Sequence, residues 1–371
     1  MQIRKLDTTQ KSERARFVDF IFDLYKGHPL WVPPFRSEAM KTLDSASHPF
    51  YEHSYADFFV VEEDEKVLGR MAMLENRSFN KFHNSKTAFF GYFEVIENID
   101  VARLLLRKAV EWARDHNLDT VIGPRGLVGI DGSVLVEGFD HRPAMTIPYN
   151  YPYYDAYIKD SGFEKDTDYL SGYASGDHEL PPRLYDIAAK VKAKRGFTIK
   201  TFASKDEIRQ WIPRAMAVHR EAMSGLHSFF PPTEAETRAV INSLLMIVDP
   251  SLIKLVMKGD EIAGFLIAYH DVSAGLQKAG GRLFPFGWFH ILRDRQKTDW
   301  VNINGLGLLP QYRGLGANAV LYTELRDTIA SHGFKHMDIV QVNEVNFNSR
   351  SDMETMGVQW YKRHRHYKRV L

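Results

Sequence analysis

One order of predicted elements runs twice along this chain, and that repetition constrains the fold more than any single segment. Glu13 to Tyr25 has the apolar spacing of a helix, and 58–61 and 67–74 read as strands joined by an acidic turn. A strand over 87–96, an amphipathic helix over 101–115, a short buried strand over 120–123 and a helix over 153–160 follow. The second half repeats the succession, with helices over 205–222 and 233–246 and strands over 251–257 and 261–270. Then come a strand over 301–308, a helix over 316–331, a strand over 336–342 and a helix over 347–356. A boundary falls near Pro181-Pro182, where a basic helical pattern precedes a fresh strand at 197–202. The pattern predicts two α/β units of one topology, 1–178 and 197–371, joined by a linker helix over 179–196. The 371 residues suit two domains of about 150–190 residues each.

Composition excludes several function classes. Net charge is +1, from 48 basic and 47 acidic side chains, so no global field draws the chain to nucleic acid or an anionic surface. With no cysteine there is no disulfide, thiolate nucleophile or cysteine-ligated metal. His219, His227, His332 and His336 lack metal-ligand spacing, so no metal is expected. No uncharged apolar run approaches the ~20 residues of a membrane span, and the amino terminus carries no signal-like run. A cytoplasmic protein with neither a membrane nor a nucleic-acid partner is the expectation; oligomeric state is not legible.

The strand Val301 to Leu308 passes through Gln311-Tyr312-Arg313-Gly314-Leu315-Gly316 into a helix whose Val320, Leu321, Leu325 and Ile329 face one core. Such a junction suits an anion. Glycines allow close backbone approach, the helix N-terminus offers unpaired N–H groups, and Arg313 adds a positive charge. The bland alternative is a tight structural turn. A dinucleotide fingerprint does not fit, because Gly314 follows a five-residue connection and no acid ends a second parallel strand about 20 residues on. A Walker loop would need Gly-Lys-Ser/Thr, which is absent.

Gln311-x-x-Gly314-x-Gly316 resembles the acyl-CoA loop (Q/R-x-x-G-x-G/A) of GCN5-related N-acetyltransferases (GNATs), and Leu306 to Gly314 matches that family's strand and loop closely. Asn346, eleven residues before Gly357, resembles the end of its motif set. Tyr153 to Phe163 resembles the family's last helix in the first half, but the stretch Phe93 to Asp100, where the first loop would lie, has three acids and no glycine. The resemblance therefore implies an α/β (α+β) protein of two tandem GNAT-like units, each a mixed twisted sheet flanked by helices, the first a degenerate copy. Segments such as Gly91 to Glu94, Val136 to Asp140 and Gly281 to Pro285 place it with bacterial tandem acyltransferase-like proteins.

The resemblance further implies a site in the second unit. Acetyl-CoA, or another acyl-CoA, would be held by Leu306, Gly307, Leu308, Gln311, Tyr312, Arg313, Gly314, Leu315, Gly316, Ala317 and Asn318, with a main-chain N–H near Leu308 on the thioester carbonyl. The acceptor would be an amine of a small molecule or peptide. The tyrosine that commonly serves as proton donor is replaced by Met353. Glu344 is the candidate base; Tyr361 and Tyr367, in the carboxy-terminal strand region, are the candidate acids, Tyr367 first. A non-catalytic acyl-CoA sensor or scaffold and an aminoacyl-tRNA-dependent peptidyl transferase are the alternatives.

Other features have bland explanations. Thr233 to Glu236 reads as a capping box, with Phe229 and Phe230 before it as candidates to line the acceptor site. The insertion 274–297, rich in aromatics and glycine, reads as a lid or a packing layer. The basic tail Lys362 to Arg369 reads as a solvated edge strand.

Overall fold

A computed structural model describes residues 1–127 and 132–371, without the side chains of 243, 244, 246 and 247. The first half contains β1 (Gln2–Lys5), α1 (Lys11–Leu24), α2 (Arg36–Thr42), β2 (Tyr55–Glu63), β3 (Lys66–Glu75) and α3 (Arg77–His83). It continues with β4 (Thr87–Val95), α4 (Ile99–Asp115), β5 (Thr120–Gly123), β6 (Val134–Glu137), α5 (Tyr153–Asp160) and β7 (Glu164–Ser175). After α6 (Pro182–Arg195) come β8 (Phe197–Lys200), α7 (Lys205–Met223), α8 (Glu234–Ile247), β9 (Ile253–Lys258) and β10 (Glu261–His270). The last elements are α9 (Ser273–Ala279), α10 (Gly287–Lys297), β11 (Trp300–Leu308), α11 (Ala317–His332), β12 (His336–Asn343), α12 (Phe347–Thr355) and β13 (Gln359–Val370).

The two sheets expected from the sequence are one. Its strand order is β1-β2-β3-β4-β5-β13-β7-β12-β11-β10-β9-β8, with β6 also on β13. Parallel pairing occurs at β4–β5 and β11–β12, where α4 and α11 make the crossovers that parallel neighbours require. The two halves exchange their final strands: β7 pairs with β12 of the second half, and β13 pairs with β5 of the first. β7 and β13 also pair with each other along most of their length, from Gln359↔Tyr173 to Lys368↔Glu164.

This placement corrects the reading of the basic tail as a solvated edge strand. β13 lies in the middle of the sheet, with Lys362, His364, His366 and Tyr367 buried. Its charges are tolerated because acids from distant segments meet them. Lys362 Nζ lies 2.7 Å from Asp338. Asp168 accepts Arg365 Nε at 2.8 Å and Arg363 Nη1 at 3.2 Å. His364 and His366 each face a backbone oxygen, of Pro148 and Gly132. The insertion 274–297 forms the helix pair α9 and α10, which packs Leu276 and Ile291 with Tyr269.

Each half has its own core, and alternate residues of its strands serve the two faces of the sheet. α4 buries Val101, Leu105, Leu106, Ala109 and Ala113, a helical repeat, against β3, β4 and Tyr367. α11 buries Val320, Leu321, Leu325 and Ile329 between the sheet and α6. At about 1.5–3 kcal/mol per buried large apolar side chain, these stripes fix both crossover helices and hence the loops that lead into them.

Candidate functional site

Two left-handed glycines and a helix N-terminus with no side-chain cap meet in the loop before α11. β11 runs into a short turn at Pro310–Tyr312, then through Gly314 (φ +72°) and Gly316 (φ +82°) into α11. Both glycines hold left-handed backbone that a side chain would strain. Gly316 has a second constraint: a Cβ there would lie 2.8 Å from Val191 Cγ2 of α6. Gly316 caps α11 without a side chain, so the first N–H groups of the helix have no competing cap.

Neighbouring contacts hold this loop in shape. Arg313 donates to the oxygens of Leu308 (3.1 Å) and Ala222 (2.9 Å), so its guanidinium ties the loop to α7 while keeping a positive charge beside it. Arg195 donates to Leu315 O at 2.6 Å, and the Tyr312 hydroxyl donates to Glu261. Asn318 and Tyr322 both donate to Asp352 Oδ2 at 3.0 Å, joining α11 to α12. Gln311 is exposed at the loop's start, and Ala317 is buried at the first turn of α11.

A gap opens beside the loop. β11 and β12 pair in register only from Trp300↔His336 to Ile303↔Ile339. Beyond that point β11 follows β10, with Leu306, Gly307 and Leu308 opposite Leu266, Phe265 and Gly264, while β12 follows β7 to Asn343↔Tyr169. A bulge in β11 at Asn304 and Gly305 starts the divergence. From there to Leu308 the edge of β11 that faces β12 carries no strand partner, which leaves main-chain groups for a ligand.

The sequence reading missed the polar residues at the apex of this gap. Asn302 is fully buried, and neither its Nδ2 nor its Oδ1 has a hydrogen-bond partner among the described residues. Its register partner Asp338 accepts Lys362 Nζ at 2.7 Å and the Tyr361 hydroxyl at 2.8 Å through Oδ2, leaving Oδ1 unpartnered. Burial pushes the Asp338 carboxyl up against the pull of Lys362, and burial beside Asp338 pushes the Tyr361 hydroxyl up. Asn304, exposed, donates to the buried Tyr269 hydroxyl at 3.2 Å, so polar groups lead from solvent to Asn302. Two asparagines, Asn302 and Asn304, alternating with Val301 and Ile303 were the available signal, since such alternation marks a second face.

Glu344 and Tyr367 are held elsewhere. Glu344 accepts Lys165 Nζ at 2.8 Å and Asp168 N at 3.0 Å, which pins the end of β12 to β7. Tyr367 packs in the first half's core, where its hydroxyl donates to Asp155 at 2.5 Å, and burial pushes that hydroxyl up. The strands β7 and β12 stand between β13 and β11, so Tyr367 does not join the loop. Met353, in the place of the missing tyrosine, is buried in the core under α11.

The corresponding position in the first half is filled by its own side chains. β4 and β5 pair only from Thr87↔Thr120 to Phe89↔Ile122. Past that point the Tyr154 hydroxyl accepts Val95 N at 2.9 Å and the Tyr153 hydroxyl donates to Val95 O at 2.9 Å. Glu94 accepts Tyr25 at 2.6 Å and Tyr154 at 2.8 Å, and Asn98 caps α4 through Asp100 N. Trp31, Tyr25, Tyr151 and Tyr153 stack in sequence at ring separations of 5.2, 5.2 and 5.5 Å. Strand edge and helix terminus are both occupied from within.

The capping box forms as read, with Thr233 N on Glu236 Oε2 at 2.8 Å and Glu236 N on Thr233 Oγ1 at 3.2 Å. Phe230, offered as an acceptor-site residue, instead packs among Phe50, Phe79 and Phe89 of the first half under the Arg125 guanidinium. Phe229 meets Phe82 in the same joint. No group of three or more metal-ligating side chains is assembled among the described residues.

No protein-family model matches the chain. It is 25% identical over 374 residues to Protein YghO of Escherichia coli (strain K12), covering 97% of this chain and 94% of that protein. It is 24% identical over 372 residues to a bacterial ceramide synthase of Caulobacter vibrioides (strain NA1000 / CB15N), covering 97% and 95%. Its fold matches a solved tandem GNAT protein from the clavulanic acid biosynthesis pathway, with a TM-score of 0.57 at 12% identity, covering 100% of this chain and 98% of that one. The α/β architecture is therefore that of tandem GNAT-like proteins.

Proposed function

We propose that this chain, with its tandem GNAT-like fold, transfers an acyl group from an acyl-CoA to an amine in the gap between β11 and β12. The observation that carries the reading is the junction of an unpartnered strand edge with a glycine loop and an uncapped helix N-terminus. The loop N–H groups from Tyr312 to Ala317 suit a pyrophosphate, and the edge of β11 suits an extended pantetheine arm. A main-chain N–H near Leu308 would polarise the thioester carbonyl. The amine nitrogen attacks that carbon, the C–N bond forms, the C–S bond breaks, and the thiolate leaves with the electron pair.

Two protons must move, one from the amine and one to the thiolate. We assign them to Asp338 and Tyr361, because both meet at the apex of the gap whereas Glu344 and Tyr367 are engaged away from it. Asn302 would orient the acceptor. The full-length similarity to a bacterial ceramide synthase suggests the acceptor class, since ceramides are N-acylated long-chain amino alcohols. The acceptor we place first is therefore a long-chain amino alcohol, and the donor an acyl-CoA whose chain length the same assay reads.

Isothermal titration with acetyl- and palmitoyl-CoA, followed by thiol release over a panel of long-chain and short amines, tests the reading. Binding with acceptor-dependent thiol release is expected. Binding without release for any amine would favour a non-catalytic sensor, the reading that Met353 supports by replacing the proton donor. Absence of binding would sink both.

A further inference from the structure

The helix pair α9–α10 carries a surface that the acyl-transfer reading does not use. On it Phe284 is 80% and Phe286 71% exposed, and Trp288, Phe289 and Leu292 are about half exposed. Large aromatics this open are rare on a face made for water, and here they cluster within 284–289. The helix register explains their direction. Gly275 of α9 lies against His290, Ile291 and Asp294, so those positions face inward and 288, 289 and 292 face out.

The cleft beside this wedge is mostly basic. Lys278, His290, Arg293 and Lys297 line a cleft of about 350 Å³ whose one acid, Asp294, has its carboxylate on Gly275 N at 2.7 Å. Arg282 lies in a second cleft, which it shares with Arg36, Asp19 and Asp23. None of Lys278, Arg282, Arg293 and Lys297 has an ion-pair partner among the described residues. The buried cations of the sheet, by contrast, are paired, as at Lys362 and Arg365. Unpaired cations beside exposed Phe and Trp are the composition of a segment that lies in a bilayer interface, with rings at headgroup depth and cations on anionic lipid.

We propose that 284–292 inserts into the surface of an anionic lipid bilayer and that the flanking basic cleft holds lipid phosphates. No helix of the described residues is long and apolar enough to cross a membrane, and the proposed contact is peripheral. It differs from the expectation of no membrane partner, which rested on the lack of a spanning run and on a near-zero net charge. A surface wedge needs neither. The wedge is also anchored beside the gap: Leu276 of α9 and Ile291 of α10 pack with Tyr269, whose hydroxyl meets Asn304. A lipid amine would then reach the acceptor side from the bilayer. Docking itself stands on the wedge alone and does not depend on the acyl-transfer reading.

Flotation with vesicles of phosphatidylglycerol and phosphatidylcholine, compared with pure phosphatidylcholine, tests docking without any turnover. The full chain should float with the anionic vesicles and be released at about 0.5 M salt, where screening shortens to a few ångströms. Substituting Phe284→Ser, Phe286→Ser and Phe289→Ser together should weaken binding by about tenfold or more, since exposed rings add affinity only by entering lipid. Arg293→Glu with Lys297→Glu should weaken it by about fivefold for each cation lost. Both variants should keep the parent melting temperature, because the changed side chains are exposed. Failure to float with anionic vesicles, or equal flotation of the triple variant, would overturn the proposal. So would a concentration-dependent dimer, abolished by the triple variant, in a chain that ignores vesicles. Loss of vesicle binding with thiol release intact on soluble amines would leave the acyl-transfer reading standing.

Discussion

Asn302 and Asp338 stand opposite each other on the parallel strands β11 and β12, one residue before the strands part. Both are buried and both keep side-chain atoms without a partner, in a molecule that satisfies most of its buried polar groups. An unsatisfied buried amide costs about 1–3 kcal/mol, so its retention asks for a reason outside stability.

Replacing that amide by a side chain of similar width separates the two roles. Asn302→Val removes two orphaned polar atoms and supplies a strand-favouring residue. The variant should melt at the same temperature as the parent or above it, while kcat/KM for the amine falls by about tenfold or more, equivalent to ~1.4 kcal/mol of transition-state stabilisation. A lower melting temperature with unchanged kcat/KM would show that Asn302 is structural.

The two tyrosines of β13 should respond in opposite ways. Tyr361→Phe deletes the hydroxyl on Asp338 and should lower kcat by about a hundredfold with acyl-CoA affinity kept. Tyr367→Phe deletes a buried bond to Asp155 and should lower stability by about 1.5–3 kcal/mol in chemical denaturation, leaving kcat near the parent value.

At the loop, the glycines should differ in degree. Gly314→Ala introduces strain in open space, whereas Gly316→Ala adds the collision with Val191. Titration calorimetry should show one acyl-CoA site per chain, with affinity reduced by about fivefold for Gly314→Ala and more for Gly316→Ala. A stoichiometry of two would contradict the internal filling of the first half's gap by Tyr153 and Tyr154.

Burial depresses the pKa of His364 to about 3 and of His366 to about 4. Both are neutral in the folded chain, while an unfolded histidine binds its proton near pH 6.5. Above that value neither state is protonated, so the full stability is present. As pH falls from about 6.5 towards 4 the unfolded state gains protons that the folded state refuses, and each histidine removes ~1.4 kcal/mol per pH unit. Denaturant midpoints between pH 7 and 5 should fall accordingly, and His364→Gln should reduce the slope by about half.

The legible parts of the chain were those whose physics is local. Gly314 and Gly316 could be read because left-handed backbone before a helix calls for glycine. The core stripes of α4 and α11 could be read because helical spacing shows in any window of their length. β7 could not, because Asp166, Asp168 and the charges before them look like a loop until Arg363 and Arg365 are known to lie beside Asp168. The same long-range neutralisation made β13 look solvated. Asp338 stayed hidden as a candidate because its partners, Tyr361 and Lys362, meet it only after the strand exchange.

That exchange has a consequence for how the protein comes into being. Of all the strands, β13 leaves the ribosome last, yet it fills the centre of the sheet between β5 and β7. Until it arrives, β5 of the first half and β7, which backs β12, each have a bare strand edge. A nascent chain stopped before Gln359 would hold nearly every residue of the proposed site and still be unable to close around it. Synthesis of β13, and not completion of the loop before α11, would therefore set the moment at which the proposed site can first close.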